Sequence, residues 1–152
     1  MVKKRLLPIK CIIQLLSSIW EKIGIKGQGG YMEDVVELSD GSYPSFIEST
    51  DKVVFIDFYS PTCGPCQTLL GFLPALANHF KEEEVVIAKV DVMANPKLAK
   101  KFMVQSVPLA IVVGKDKMVK NAEVGLRGIE GYIKMIDKAL GKGGGFFSKL
   151  FG

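Results

Sequence analysis

The stretch that most constrains the fold of this chain is Val53–Tyr59, which reads VVFIDFY. A strand with one face in water alternates apolar and polar residues, whereas this run is apolar almost throughout. Such a run is typical of a strand that helices cover on both faces. We therefore predict an inner strand of an α/β domain, with Asp57 as the single carboxylate inside it.

The segments on either side of this strand alternate between strand-like and helix-like patterns. The further predicted strands are 35–38, 85–91, 109–113 and about 118–124. The predicted helices are 43–49, about 65–80, 96–103 and 129–140. The resulting order, β-α-β-α-β-α-β-β-α, predicts an α/β fold with a central mixed β-sheet flanked by helices.

The composition divides the chain into three parts. We predict one globular domain over residues 32–141, a basic tail over 1–31, and a glycine-rich linker with a phenylalanine-rich end over 142–152. The basic tail has six basic residues and one acidic residue, a net charge of +5; since the whole chain carries +4, residues 32–152 carry −1. The excess positive charge lies outside the domain, so the sequence predicts no nucleic-acid-binding surface.

Both tails allow two interpretations. The basic tail has apolar residues at spacings of three and four, which predicts an amphipathic helix. Its longest uncharged run, Cys11–Trp20, is shorter than the ~20 residues needed to cross a bilayer, so it would lie on a membrane surface; alternatively, translation starts at Met32. The phenylalanine-rich end would contact a membrane or a partner groove, or fray. We predict a cytoplasmic protein, associated with the membrane if the tails bind it.

Cys63 and Cys66 form a Cys-x-x-Cys pair, and Cys11 is the only other cysteine. A structural zinc site needs about four Cys or His ligands, and the domain adds only His79 to the pair, so we predict no metal. A purely structural disulfide is also a poor explanation, because so small a loop restrains little of the unfolded chain. Electron exchange between thiols and disulfides remains.

The position of the pair suits that chemistry. Cys63 is predicted where the strand ends, and Gly64 and Pro65 open the following helix. Proline is preorganised for a first helical turn, and glycine leaves space for an incoming disulfide. A helix N-terminus favours a thiolate, which predicts Cys63 as the nucleophile. Cys66, one turn further and less exposed, would then attack the mixed disulfide.

Two further features support this interpretation. Burial would raise the pKa of Asp57 and make it a proton acceptor for Cys66; the alternative is that Asp57 faces a polar pocket or Lys89. Pro108 cannot sit in the middle of a strand ladder, so we predict it at a strand start, where a cis bond is allowed. The backbone of Val107 would then be available to pair with an extended substrate.

The segments VVFIDFYSPTCGPC, VIAKVDV and QSVP together resemble the thioredoxin family over about residues 35–141. The resemblance implies the thioredoxin fold and a thiol-disulfide oxidoreductase that reduces protein disulfides. It also implies that Asp57, with Lys89 nearby, controls proton transfer at the cysteines. A cis Pro108 would shape the groove in which a substrate docks. The redox-active group would be the Cys63–Cys66 disulfide, so no bound cofactor is implied.

The sequence departs from the family pattern beside the cysteines. Thr62 stands where tryptophan is usual, Gln67 replaces a basic residue, and Leu109 follows Pro108 where threonine is common. None of these changes removes a thiol or the buried carboxylate, so we expect the chemistry to be retained. Thr62 lacks the flat contact surface of tryptophan, so we expect a narrower or altered set of substrate proteins.

The resemblance also implies partners: disulfide-containing protein substrates, and a thioredoxin reductase or a similar electron donor. A monomer is the default expectation. Two alternatives stay open from the sequence. One is an extracytoplasmic, membrane-tethered relative that passes electrons to exported proteins. The other is a redox-sensitive interaction module, in which binding by the groove or the phenylalanine-rich end is the function.

Overall fold

The apolar strand singled out from the sequence is the middle strand of the sheet. The computed structural model describes residues 34–142. The strands there are β1 (Val35–Glu37), β2 (Val53–Tyr59), β3 (Val85–Asp91), β4 (Leu109–Val113) and β5 (Val119–Val124). The helices are α1 (Tyr43–Ser49), α2 (Gly64–His79), α3 (Pro96–Lys101) and α4 (Ile129–Ala139). The basic tail and the phenylalanine-rich end, with the predictions made for them, lie outside the described residues.

The sheet has the strand order β1-β3-β2-β4-β5. Strands β1 and β2 run parallel to β3, whereas β4 runs antiparallel to both β2 and β5. The predicted α/β fold with a mixed sheet flanked by helices is therefore confirmed. Because of these directions, the carboxyl ends of β1, β2 and β3 lie at the same edge of the sheet as the amino end of β4.

Helices cover both faces of the sheet, which explains why β2 is apolar almost throughout. On the face covered by α2 and α4 the core includes Val53, Phe55, Leu69, Leu73, Tyr132 and Ile136. On the face covered by α1 and α3 it includes Tyr43, Val54, Ile56, Phe58, Leu98 and Ile111. Successive residues of β2 alternate between these two clusters, as the twofold repeat of a strand requires. Odd-numbered residues of β2 thus face α2 and α4, and even-numbered residues face α1 and α3.

The predicted end of α3 is wrong by two residues. The helix ends at Lys101, and Met103 has a φ of 51°, in the left-handed region. That turn lets the N–H of Val104 donate to the Ala99 carbonyl over 2.8 Å and sends the chain back toward the sheet. The other predicted elements have the right type, with ends that differ by one residue at most.

Strand β5 forms one edge of the sheet, and its face on the α3 side is uncovered. Val119 and Val124 point there and are 49% and 62% exposed. The pairing of β5 with β4 is irregular between Val112 and Val113, where the register shifts. Lys120 lies within the strand, with its ammonium beside the Asp116 carboxylate. The sheet therefore stops at a short, interrupted and charged strand.

Candidate redox site

The loop between β2 and α2 brings a cysteine to the edge where the parallel strands end. The N–H of Cys63 donates to the Ser60 carbonyl over 3.1 Å, which closes a tight turn directly after the strand. Helix α2 begins at Gly64, with Pro65 in its first turn, where a fixed φ favours the helix and no donor is lost. The chain thus changes from strand to helix within a few residues, and Cys63 is the cap between them.

Cys63 and Cys66 are joined by a disulfide, with their Cα atoms 5.2 Å apart. The N–H of Cys66 donates to Sγ of Cys63 over 3.3 Å, so the first turn of the helix directs a donor at that sulfur. The two residues differ in access: Cys63 is partly exposed, whereas Cys66 is fully buried. An incoming sulfur can therefore reach Cys63 but not Cys66.

A cis peptide bond between Val107 and Pro108 lies opposite this sulfur. The Val107 carbonyl oxygen is 3.8 Å from Sγ of Cys63, and Pro108 is buried at the start of β4. The Pro108 carbonyl accepts the N–H of Gly125 over 2.8 Å, which ties the end of β5 to the same loop. Val107 therefore lies beside Cys63, and the cis bond to Pro108 stands directly before β4.

Thr62 and Gly64 flank Cys63 on the open side. Thr62 is exposed, with its hydroxyl 3.3 Å from that of Ser60. Gly64 is exposed too, and nothing lies within 4 Å of where its Cβ would be. Neither residue directly beside Cys63 therefore carries a large side chain.

Asp57 is completely buried on the face of the sheet that α2 covers. Neither of its carboxylate oxygens has a hydrogen-bond partner among the described residues. Burial disfavours the ionised form and raises the pKa of Asp57 from 3.8 to about 7. The expected burial is thus observed, and near neutral pH this carboxyl can either accept or release a proton.

Lys89 lies beside Asp57 in the sheet, since the two residues are register partners on β3 and β2. Its ammonium, however, is directed toward β1, where Nζ lies 3.3 Å from Oε2 of Glu37. It also lies 5.9 Å from the centre of the Tyr59 ring. Glu37 was not identified from the sequence. Its signal would have been the parallel pairing of β1 with β3, which puts Glu37 next to Lys89.

Residues 34–142 contain neither a metal-binding cluster nor a membrane-spanning helix. No group of three or more histidine, cysteine, aspartate or glutamate side chains in this range is arranged to hold a metal ion. In the same range, every helix is too short or too polar to cross a bilayer. The redox-active group described above is the Cys63–Cys66 disulfide, which is part of the protein itself.

The fold and the site define a class of α/β proteins: those with a Cys-x-x-Cys pair at the N-terminus of a helix that follows an inner strand. The family model for thioredoxin matches residues 34–138, which is more than half of the chain. The chain belongs to the thioredoxin family.

Several relatives carry that name. Thioredoxin C-3 of Corynebacterium nephridii is 33% identical over 95 residues, 62% of this chain and 64% of that protein. The bifunctional thioredoxin reductase/thioredoxin of Mycobacterium leprae (strain TN) is 33% identical over 93 residues, 61% of this chain and 20% of that protein. The thioredoxin of Buchnera aphidicola subsp. Baizongia pistaciae (strain Bp) is 30% identical over 91 residues, 60% of this chain and 82% of that protein. The chain thus spans less than two thirds of the first two relatives.

A solved structure supports the same fold. The crystal structure of chloroplastic thioredoxin z matches with a TM-score of 0.64 and 24% identity, over 71% of this chain and 96% of that one. At this identity the match concerns the fold alone. The predicted thioredoxin fold is confirmed, and the comparisons do not favour the tethered relative or the interaction module over a thioredoxin.

Proposed function

We propose that the protein is a thiol-disulfide oxidoreductase that reduces disulfide bonds in other proteins. The observation that carries the proposal is the asymmetry of the Cys63–Cys66 disulfide at the start of α2. One sulfur is accessible and accepts the N–H of Cys66, while the other is fully buried. This arrangement suits one thiol for attack on an external disulfide and the other for resolving the product.

The first step begins from the reduced protein. The Cys63 thiolate, which the helix N-terminus and the Cys66 N–H favour, attacks one sulfur of the substrate disulfide. A bond forms between Cys63 and that sulfur, the substrate S–S bond breaks, and the second substrate sulfur leaves as a thiolate that takes a proton from water. The carbonyl of Val107 beside Cys63, with exposed Thr62, provides the surface along which an extended substrate lies.

The second step uses the buried cysteine. The Cys66 thiol gives its proton to the Asp57 carboxylate and attacks Sγ of Cys63, which releases the remaining substrate sulfur as a thiolate. The released thiolate takes up a proton, and Asp57 gives up the one it received from Cys66. The substrate has then gained two electrons and two protons, and Cys63 and Cys66 are joined. A pKa of Asp57 of about 7 suits this role, because the carboxyl is partly ionised at neutral pH.

The cycle requires a donor of two electrons to reopen the disulfide. We propose a thioredoxin reductase or a similar dithiol donor, with no bound cofactor in this chain. The name of the Mycobacterium leprae relative joins a reductase and a thioredoxin in one protein, which supports this pairing. We further propose that the protein acts as a monomer in the cytoplasm, with any membrane contact made by its tails; cell fractionation tests the location.

Insulin reduction tests the proposed activity. With dithiothreitol as the electron donor, the native protein is expected to accelerate the turbidity that follows separation of the insulin chains. Cys63→Ser should abolish the acceleration, because it removes the accessible nucleophile and leaves only the buried Cys66 at the site. Cys66→Ser should end turnover and leave insulin attached to Cys63 as a mixed disulfide, visible by mass spectrometry under non-reducing conditions.

Cys11→Ser is the matched control, because it removes a thiol that the mechanism does not use. This variant should reduce insulin at the native rate. The proposal is wrong if Cys63→Ser is as active as the native protein, or if the native protein forms the Cys63–Cys66 disulfide reversibly yet does not accelerate insulin reduction.

A further inference from the structure

Three charged side chains form a row across the face of the sheet that α2 covers. Glu37 of β1 is the register partner of Lys89 of β3, and Lys89 is the register partner of Asp57 of β2. Register partners on parallel strands point to the same face. The side chains of Glu37 and Lys89 are 61% and 22% exposed, and Asp57 is fully buried. The row therefore leads from solvent to the buried carboxyl.

Lys89, in the middle of this row, pairs with the exposed Glu37 and not with the buried Asp57. Nζ of Lys89 lies 3.3 Å from Oε2 of Glu37, whereas no described residue donates a hydrogen bond to either oxygen of Asp57. A lysine side chain is long enough to turn toward either neighbouring strand. The observed conformer pairs with the exposed carboxylate and leaves the buried one without a cation.

The remaining groups around Asp57 supply no positive charge. Helix α2 contributes Cys66, and β4 contributes Ala110 as the register partner on the other side. Tyr59 of β2 and Tyr132 of α4 are phenols, and burial raises the pKa of each of them. Both are therefore uncharged near neutral pH, as is the disulfide-bonded Cys66. Whether Asp57 has a counter-charge depends on Lys89 alone among these groups.

An open cavity lies beside the Glu37–Lys89 pair. A cavity of about 510 Å³ lies between α2 and the strands β1 and β3, and its lining includes Glu37, Lys89, Gln67 and Gly71. Gly71 has nothing within 4 Å of where its Cβ would be, so the helix leaves this side open. The Lys89 side chain therefore borders open space between α2 and the two strands and is not packed on every side.

We infer that Glu37 is a positioning residue of the redox site: by retaining the Lys89 ammonium on the solvent side of the sheet, it leaves the Asp57 carboxyl without a counter-charge, so that this carboxyl keeps its proton. An opposite charge within about 4–6 Å favours the ionised form of a carboxyl, and its absence favours the neutral form. The inference deepens the proposed function, on which its catalytic meaning rests, because Asp57 is the proposed proton acceptor for Cys66.

The ionisation of Asp57 can be followed directly, without any substrate. The carboxyl carbon of Asp57 is observed by 13C NMR in the oxidised, full-length protein between pH 4 and 10. Four proteins are compared: native, Glu37→Gln, Lys89→Met, and the double variant. Glu37→Gln preserves the shape of an exposed side chain, and amide spectra of all four report whether the fold is intact.

Glu37→Gln is expected to lower the midpoint of the Asp57 titration by about one pH unit, because Lys89 then turns to Asp57. Lys89→Met should leave the midpoint at its native value, and so should the double variant. The inference is overturned if Glu37→Gln leaves the midpoint unchanged. It is also overturned if the same decrease persists in the double variant, since Glu37 would then act directly on Asp57, or if Lys89→Met alone raises the midpoint.

A kinetic measurement connects this titration to the chemistry. The reduced protein reacts with 5,5′-dithiobis(2-nitrobenzoate): Cys63 takes up one thionitrobenzoate, and attack by Cys66 then releases it. The midpoint of the pH profile for this second release should move down in Glu37→Gln together with the NMR midpoint. If only the NMR midpoint moves, Glu37 positions Lys89 as inferred, and the proton-acceptor role proposed for Asp57 is what fails.

Discussion

The backbone N–H of Cys66 donates a hydrogen bond to Sγ of Cys63 over 3.3 Å. The donor belongs to a fully buried residue and the acceptor to a partly exposed one. Any negative charge on the Cys63 sulfur is thus stabilised by the amide of its own resolving partner, at the positive end of a helix. The two cysteines of one short motif thus differ in accessibility, which suits the different roles proposed for them.

This difference predicts selective alkylation. After reduction and brief treatment with iodoacetamide at pH 7, Cys63 should be labelled more than about tenfold faster than Cys66, because only an accessible thiolate reacts. Peptide mass mapping after quenching measures both sites. Similar rates at the two cysteines would contradict the asymmetry, and labelling in denaturant, where both should react, is the control.

Replacing the small Thr62 side chain beside Cys63 with a larger one is expected to improve the reaction with a protein substrate. Thr62→Trp is expected to raise kcat/KM for insulin by about two- to tenfold, since an added aromatic contact contributes about 0.5–1.5 kcal/mol. Thr68→Trp, at an exposed position further along α2, is the matched control and should change little. An equal effect of both substitutions, or none from Thr62→Trp, would show that this position does not contact the substrate.

The buried carboxyl of Asp57 is expected to make the free energy of unfolding depend on pH. Its pKa is about 7 in the folded protein and 3.8 in the unfolded chain, so the unfolded state loses its proton first as the pH rises. The stability that the neutral Asp57 carboxyl allows is therefore fully present below pH 3.8. It is lost progressively up to about pH 7, above which Asp57 is ionised in both the folded and the unfolded state. Asp57→Asn removes this loss. It should be on the order of 4 kcal/mol more stable than the native protein at pH 8, and about equal to it at pH 4.

Urea unfolding at both pH values measures that difference. Asp51→Asn, an exposed carboxylate near the start of β2, is the matched control and should not show it. An Asp57→Asn variant whose advantage is the same at pH 4 and pH 8 would mean that the carboxyl is not the titrating group.

Asp40 predicts a stability effect remote from the cysteines. Its carboxylate accepts the N–H groups of Lys97 and Leu98 over 3.2 and 2.8 Å, and so caps α3 from a distant loop. Asp40→Ala leaves both donors without this acceptor and should lower the free energy of unfolding by about 1 kcal/mol. Urea unfolding at pH 7 checks this, with exposed Asp51→Ala as the reference. A loss no greater than that of the reference would exclude the capping role.

The disulfide itself predicts a reducing potential. The Cys-Gly-Pro-Cys sequence and the stabilised Cys63 sulfur place the expected value near the about −270 mV that is characteristic of thioredoxin. Equilibration in dithiothreitol buffers, followed by thiol labelling and mass spectrometry, measures it. A value close to about −120 mV, as in strongly oxidising relatives, would contradict a reductase and favour the opposite direction of electron flow.

Much of the fold was predictable because its signals are local. The apolar run of β2, the proline in the first turn of α3 and the glycine after α4 each act within a few residues. Asp57 was identifiable for the same reason, since a charge inside an apolar strand is conspicuous in the sequence. The end of α3 was not, because Met103 carries no sequence sign of its left-handed conformation.

The interactions that the sequence did not reveal join residues far apart in the chain. Glu37 meets Lys89 only because β1 pairs with β3 in one register, and a shift of one residue would turn the two to opposite faces. The cap that Asp40 provides for α3 likewise depends on how two loops meet. Such contacts form only once the sheet is assembled. In the sequence, Glu37 and Asp40 look like any charged residue on a protein surface.

The edge strand β5 has a consequence for how the protein behaves in a crowded solution. Its uncovered valines would otherwise offer a template on which a second molecule could add a strand and begin an aggregate. The shifted register beside Val113 and the charge of Lys120 interrupt that template. Resistance to aggregation at high concentration thus depends on the register and charge of one edge strand. A protein proposed to diffuse between an electron donor and its substrates needs that strand as well as its sulfur chemistry.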